Sequence, residues 1–173
     1  MKKMIKLAIS GGIAATALFS MTTTQLTSIE GNTAEAAVTP WYNYQGTTGH
    51  DGRFILDKNF KNAVKYNNVT INGYHVYASA KNANSYQKYT KPVKVHDQTM
   101  MKFDKNKAIQ AVFPVRKQHI SENQLVKVWG KGNVKTSKNG KSIYYTLKGN
   151  NIKFDLQNGY VTKVSLGTII SNK

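Results

Sequence analysis

The 173-residue chain contains no cysteine. That excludes a disulfide framework and any thiolate metal site, so a small domain of this composition must be held together by its core alone. Arginine is nearly absent, with Arg53 and Arg116 as the only examples. Lysine meets phosphate as a mobile point charge, whereas arginine supplies the bidentate fork that reads base edges. Any nucleic-acid binding by this chain should therefore follow backbone charge and ignore sequence. Acidic residues are also scarce, 8 against 25 Lys and Arg, and the formal net charge is +17. A charge of that size bears on partners rather than on fold. It suits nucleic acid, anionic cell-wall polymers, acidic glycans or anionic lipid, and equally a protein that simply lives beside an anionic envelope. The lysines are spread along the chain, unlike those of a disordered basic tail.

Long hydrophobic runs are missing too. The single apolar stretch, Leu7 to Phe19, is short and contains glycine, and no second one follows. It falls short of a membrane span. Lys2, Lys3 and Lys6 precede it, and Ala34-Glu35-Ala36 offers small residues at the −3 and −1 positions of a signal-peptidase site. The expectation is a signal peptide over 1–36, cleaved before Ala37, and a single exported domain over 37–173 without a transmembrane segment. Loss of Lys2, Lys3, Lys6, Glu30 and Glu35 leaves 22 basic and 6 acidic residues, a charge of +16. A domain of this length buries roughly two-thirds of its unfolded surface.

Catalytic groupings are likewise absent. The carboxylates after residue 36 are Asp51, Asp57, Asp97, Asp104, Glu122 and Asp155. Asp57 and Glu122 suit helix starts. Glycoside hydrolysis would need two of the scattered remainder to converge. His50, His75, His96 and His119 show no metal-ligand spacing. No phosphate-cradling loop, nucleophile elbow or HExxH occurs. A ribonuclease built from two histidines and a lysine is the one enzymatic alternative, and the reading is of a non-enzyme without cofactor or metal.

What is present is organised around Phe54 to Val76. Leu56, Phe60, Ala63, Val64 and Asn67 lay a mainly apolar stripe along one helix face, with Asp57 as N-cap. Lys58, Lys61 and Lys65 form a row on the opposite face. Asn67-Asn68 ends the helix, and Val69-Thr70-Ile71 leads into an Asn72-Gly73 hairpin turn. Upstream, Trp41 to Tyr44 is either a short strand or a set of exposed rings available for stacking. Ala78 to Ser85 reads as loop or loose strand end.

From Tyr86 to Val95 lysines alternate with aromatic or aliphatic residues, and Pro92 confines the segment to an edge strand or loop. The pattern fits a half-buried strand with a solvated lysine face. It also matches what a single-strand binder uses, rings stacking on bases while lysines follow phosphates, though the ordinary strand is the commoner use of such a pattern. Met100 to Phe103 and Ala108 to Val115 read as strands around the turn 104–107. Ile109, Ala111, Phe113 and Val115 share a face, and Pro114 suggests an edge. Ser121 to Gln124 is a capping box, with Ile120 stapling onto Leu125. Leu125, Val126 and Trp129 form that helix's buried face, which Gly130 and Gly132 end. Ser142 to Leu147, Ile152 to Leu156 and Tyr160 to Ile170 complete a three-stranded meander, with Lys153, Asp155, Lys163 and Ser165 facing outward. Helix followed by strands occurs twice, at 57–115 and 121–170, though the halves share no motif.

Phe54 to Phe60, then Ala63 to Tyr66, Asn68-Val69 and Asn72-Gly73, closely resemble the immunodominant staphylococcal antigen B family. The Ala-rich end of the signal sequence, Thr39-Pro40 and the Tyr-rich opening at 42–44 agree with it. The resemblance is sharp from about 38 to 74, diffuse from 77 to 118, and a matter of pattern beyond. It implies a secreted or surface-associated protein that binds extracellular nucleic acid without sequence preference. It supplies no motif for binding or catalysis, and hence no site residue.

The fold class expected is α+β, two short amphipathic helices packed on mainly antiparallel sheet with a C-terminal three-stranded meander. The function expected is sequence-independent binding of extracellular DNA or RNA by a secreted or loosely surface-associated protein. The binding candidates are Lys58, Lys61 and Lys65, then Tyr86, Lys88, Tyr89, Lys91 and Lys94, then Lys153 and Lys163. The alternative is a non-enzymatic adhesive module for anionic cell-wall polymer or host glycan.

Overall fold

The computed structural model describes residues 39–138 and 140–167. The expected signal peptide and cleavage site, and the expected continuation of the last strand to Ile170, lie outside the described residues.

The helix α1 spans Lys58–Lys65, and the Asp57 carboxylate accepts the Asn59 amide at 2.7 Å, capping it as expected. A 3-10 turn over Arg53–Leu56 precedes it and places Leu56 ahead of the helix proper. The stripe that α1 buries is Phe60, Ala63 and Val64. Asn67 ends the helix in the left-handed region at φ 60°, where a short polar side chain is tolerated. Asn72 and Gly73, at φ 46° and 82°, then turn strand β2 (Val69–Ile71) into β3 (Tyr74–Val76). Strand β1 (Tyr42–Tyr44) lies parallel to β2.

The segment after β3 is helical rather than loop-like. Helix α2 covers Ala80–Tyr86, with the Ser79 hydroxyl accepting the Asn82 amide at 3.3 Å. Strands β4 (Lys91–Val95), β5 (Gln98–Asp104) and β6 (Lys107–Pro114) follow. Pro92 does sit on an edge, since among the described residues β4 pairs only with β5. Pro114 does not mark one. Strand β6 is the hub of the sheet, with β5 along one side and β3 and β10 sharing the other, and Pro114 is tolerated because it closes the strand. An irregularity in the β5–β6 register at Ile109 resets the alternation. Ala108, Ala111, Phe113 and Val115 therefore reach the main core, while Ile109 is buried outside it.

Helix α3 (Glu122–Trp129) carries the complete capping box between Ser121 and Gln124. Ile120, Leu125 and Trp129 are buried, and Val126 is half-buried. The C-terminal meander has a fourth strand: β7 (Asn133–Ser137) precedes β8 (Gly140–Leu147), β9 (Asn150–Gln157) and β10 (Tyr160–Gly167).

Among the described residues the architecture is thus α+β, with three helices and one ten-stranded sheet. The sheet is mixed rather than mainly antiparallel, because β1–β2 and β3–β6 run parallel. Helices α1 and α3 cover one side, where Phe60, Leu125 and Trp129 meet Phe113, Phe154, Leu156 and Val164. The Trp129 indole donates to the Ile55 carbonyl at 2.8 Å, tying α3 to the turn ahead of α1. Lys153 and Lys163 point to the other side of the sheet.

Candidate nucleic-acid interface

The ten candidate side chains fall on two sides of the sheet. Those of α1 belong to the helix layer. Lys58 is exposed in the first turn. Lys61 is engaged: its ammonium donates to the Val128 carbonyl at 3.0 Å and lies 3.4 Å from the Trp129 carbonyl, at the C-terminal end of α3. Cations are favoured there by the free carbonyls and the helix dipole. Lys65 is half-buried, its ammonium 5.8 Å from the Tyr66 ring centre.

The open side gathers a second group through strand register. Reading across the sheet, Tyr144, Lys153, Ser165, Val112, Thr99 and Lys94 are consecutive partners on β8, β9, β10, β6, β5 and β4. The neighbouring row runs Lys135, Ser142, Asp155, Lys163 and Pro114. Partners face the same side, so Lys94, Lys135, Lys153 and Lys163 share one surface. Asp155 is the carboxylate within these two rows. It lies 3.2 Å from Lys153 Nζ and 3.1 Å from Lys163 Nζ, and it accepts the Ser142 hydroxyl at 2.7 Å. Burial pushes its carboxyl up, but the Ser142 hydroxyl, Lys163 and Lys153 outweigh that and hold it below the usual value. A pocket of about 400 Å³ opens here, lined in part by Lys141, Ser142, Lys153, Asp155 and Lys163.

The remaining candidates sit around α2 and β4. Tyr86, 40% exposed, stacks on Phe103 at 4.3 Å. Lys88 lies 5.0 Å over Tyr89, which is 60% exposed. Lys91 pairs across from Lys102, on the face of β4 opposite to Lys94, so the strand divides its two lysines.

Several surface groupings escaped the sequence reading. Lys148 lies 4.5 Å over the Tyr66 ring, so that ring carries a lysine from the β8–β9 turn beside Lys65. Lys135 lies 5.4 Å over Tyr144. A row of rings also runs along the open side: Trp41 to His75 at 5.3 Å, His75 to Tyr77 at 4.3 Å, Tyr77 to Phe103 at 5.8 Å, and Phe103 to Tyr86 at 4.3 Å. Alternation about the buried Val76 was the available signal, since it sends His75 and Tyr77 to the far side of the strand.

The carboxylates do not converge. Asp51 pairs with Arg53 at 2.9 Å and lies 3.5 Å from His119. Asp97 binds the Thr48 and Gly49 amides at 3.1 and 2.6 Å. Asp104 pairs with Lys107, and Glu122 with Lys141. No group of three or more His, Cys, Asp or Glu residues suited to a metal occurs among the described residues.

Fold and surface together define a basic, cysteine-free α+β module with lysines on both sides of one mixed sheet. A family model described as immunodominant staphylococcal antigen B matches residues 41–166. The chain is also 33% identical over 176 residues to proteins named immunodominant staphylococcal antigen B from Staphylococcus aureus strains USA300, NCTC 8325 / PS 47 and N315, covering 96% of this chain and 95% of each relative. The chain belongs to the immunodominant staphylococcal antigen B family. No solved structure matches it. No helix among the described residues is long and apolar enough to cross a membrane.

Proposed function

We propose that this protein is exported by cleavage before Ala37 and binds extracellular nucleic acid without regard to sequence, through lysines on the open side of its sheet. The observation that carries the reading is the pair of cross-strand rows, which place Lys94, Lys135, Lys153 and Lys163 on one surface, with Asp155 paired to Lys153 and Lys163. Lysine stems on a regular sheet follow a phosphate chain at any sequence, and each phosphate neutralised releases counterions. The protein is read as a non-enzyme, because each carboxylate after residue 36 is engaged locally.

The test is titration of a labelled random-sequence oligonucleotide at several salt concentrations, with heparin and anionic wall polymer as competitors. Lys135→Ala and Lys94→Ala should each weaken binding alike on every sequence and flatten the salt slope by about one unit. A change in base preference instead would overturn the reading. Lysines on both sides of the sheet favour one second reading, an adhesive module for anionic wall polymer or host glycan. Equal displacement by competitors of matched charge would establish that alternative. Shortening of the bound oligonucleotide with time would instead reveal a hydrolase.

A further inference from the structure

We infer that the row Trp41, His75, Tyr77, Phe103 and Tyr86 is a stacking platform for unpaired bases, which makes single-stranded nucleic acid the preferred ligand. This rests on the nucleic-acid reading above and adds to it a site and a strandedness. The five rings come from β1's leading edge, β3, the residue after β3, β5 and the end of α2, so they meet only in the folded chain. None belongs to the buried core. Trp41 and Tyr86, at the two ends, are 56% and 40% exposed. His75 is held in place by a 2.7 Å contact between its Nε2 and the Asn67 carbonyl.

The surroundings say what such a strip suits. Lys107 pairs in register with His75, and Lys81, Lys88 and Lys105 are exposed on the flanking elements. Asp104 is the acid on this stretch, and it is already paired with Lys107 at 3.1 Å. Rings interleaved with cations suit a chain whose bases expose π-faces and whose backbone is anionic. A duplex hides those faces inside the stack and offers only edges and phosphates. Stacking on rings is tolerant of sequence, in keeping with a surface that has no arginine fork to read base edges.

The experiment uses the purified protein with a labelled oligo-dT, a duplex of equal length and heparin as a base-free polyanion. Binding is followed by anisotropy and by tryptophan fluorescence. Trp129 is only 4% exposed, so quenching on binding reports Trp41. The platform predicts quenching by oligo-dT and not by heparin. It also predicts that Trp41→Ala and Tyr86→Ala each weaken oligo-dT binding at least about fivefold, with the salt slope and heparin affinity unchanged. Both rings lie outside the core, and circular dichroism confirms that the variants fold. Preferential binding of oligonucleotide over heparin without quenching, or with single and double strands bound equally, overturns the platform and leaves the wider reading standing. Displacement of oligo-dT by heparin at matched charge overturns both.

Discussion

Replacing Lys61 by alanine separates a lysine used by the fold from one available to a ligand. Its ammonium reaches the carbonyls of Val128 and Trp129 at 3.0 and 3.4 Å, where the last turn of α3 leaves acceptors free. A hydrogen bond to a charged group contributes about 1.5–3 kcal/mol, and a cation at a helix C-terminus a further 0.3–1 kcal/mol or so. Lys61 is only half-buried, and ordering its long stem costs side-chain entropy. The net loss for Lys61→Ala should then be about 1–2 kcal/mol. In a domain of this size that lowers Tm by roughly 4–8 °C. Thermal unfolding followed by circular dichroism measures it, with Lys58→Ala as the comparator. Lys58 sits in the first turn of α1, where a cation opposes the dipole, so its removal should leave Tm unchanged or slightly raised. The Lys61 variant should retain the parental salt slope for oligonucleotide binding. An unchanged Tm together with a slope reduced by about one unit would refute the assignment and return Lys61 to the binding surface.

Trp129→Phe should cost about 2–3 kcal/mol in urea unfolding, because it leaves the Ile55 carbonyl without its buried donor and trims a ring packed on Phe154. Gly132→Ala should destabilise by about 2 kcal/mol and loosen β7: the new Cβ would lie 2.7 Å from Ile143 Cγ2 and 2.9 Å from the Tyr144 carbonyl, and amide exchange along β7 would report the change. Asp155→Asn should lose about 1–2 kcal/mol of stability yet strengthen oligonucleotide binding, since it frees Lys153 and Lys163. Because the Asp155 carboxyl is held below its unfolded value, its contribution is fully present above that value and is lost as pH falls through the folded one. Acid unfolding of the Asn variant should accordingly show a shallower pH dependence in that range.

Elements that satisfy their own backbone locally and bury a periodic face were legible from the sequence. The Asp57 cap, the Asn72-Gly73 turn, the Ser121 box and the in–out alternation of β9 all state their geometry within a few residues. Helix α2 was not legible, because Ala80 to Tyr86 buries only Ala83 and so carries no apolar period. Its one signal was Ser79 at the N-cap. Strand β7 was missed for a similar reason: every residue from Asn133 to Ser137 is exposed, so pairing with β8 leaves no mark on composition. The parallel contacts of β1 and β3 depend on which distant strand lies alongside, which short-range pattern cannot express. Of the candidate site, the types of residue were legible but their grouping was not. Lys58, Lys61 and Lys65 share a helix face, yet that helix lies across the sheet from Lys153 and Lys163.

The formal charge also overstates what a polyanion would meet. Lys61 is turned to carbonyls of α3, Lys141 to Glu122, Lys107 to Asp104, and Lys153 shares Asp155 with Lys163. Charges already matched inside the protein release few counterions when phosphate arrives, so the measured salt slope should fall well short of the number of lysines. On the open side, Lys94 stands directly across from Thr99 and Lys135 from Ser142, while Lys153 and Lys163 share the Asp155 carboxylate. Single substitutions should reproduce that order, with Lys94→Ala lowering the slope more than Lys153→Ala. The reverse order would mean that Asp155 releases its lysines on binding and that the cluster, rather than the edge strand, makes the contact.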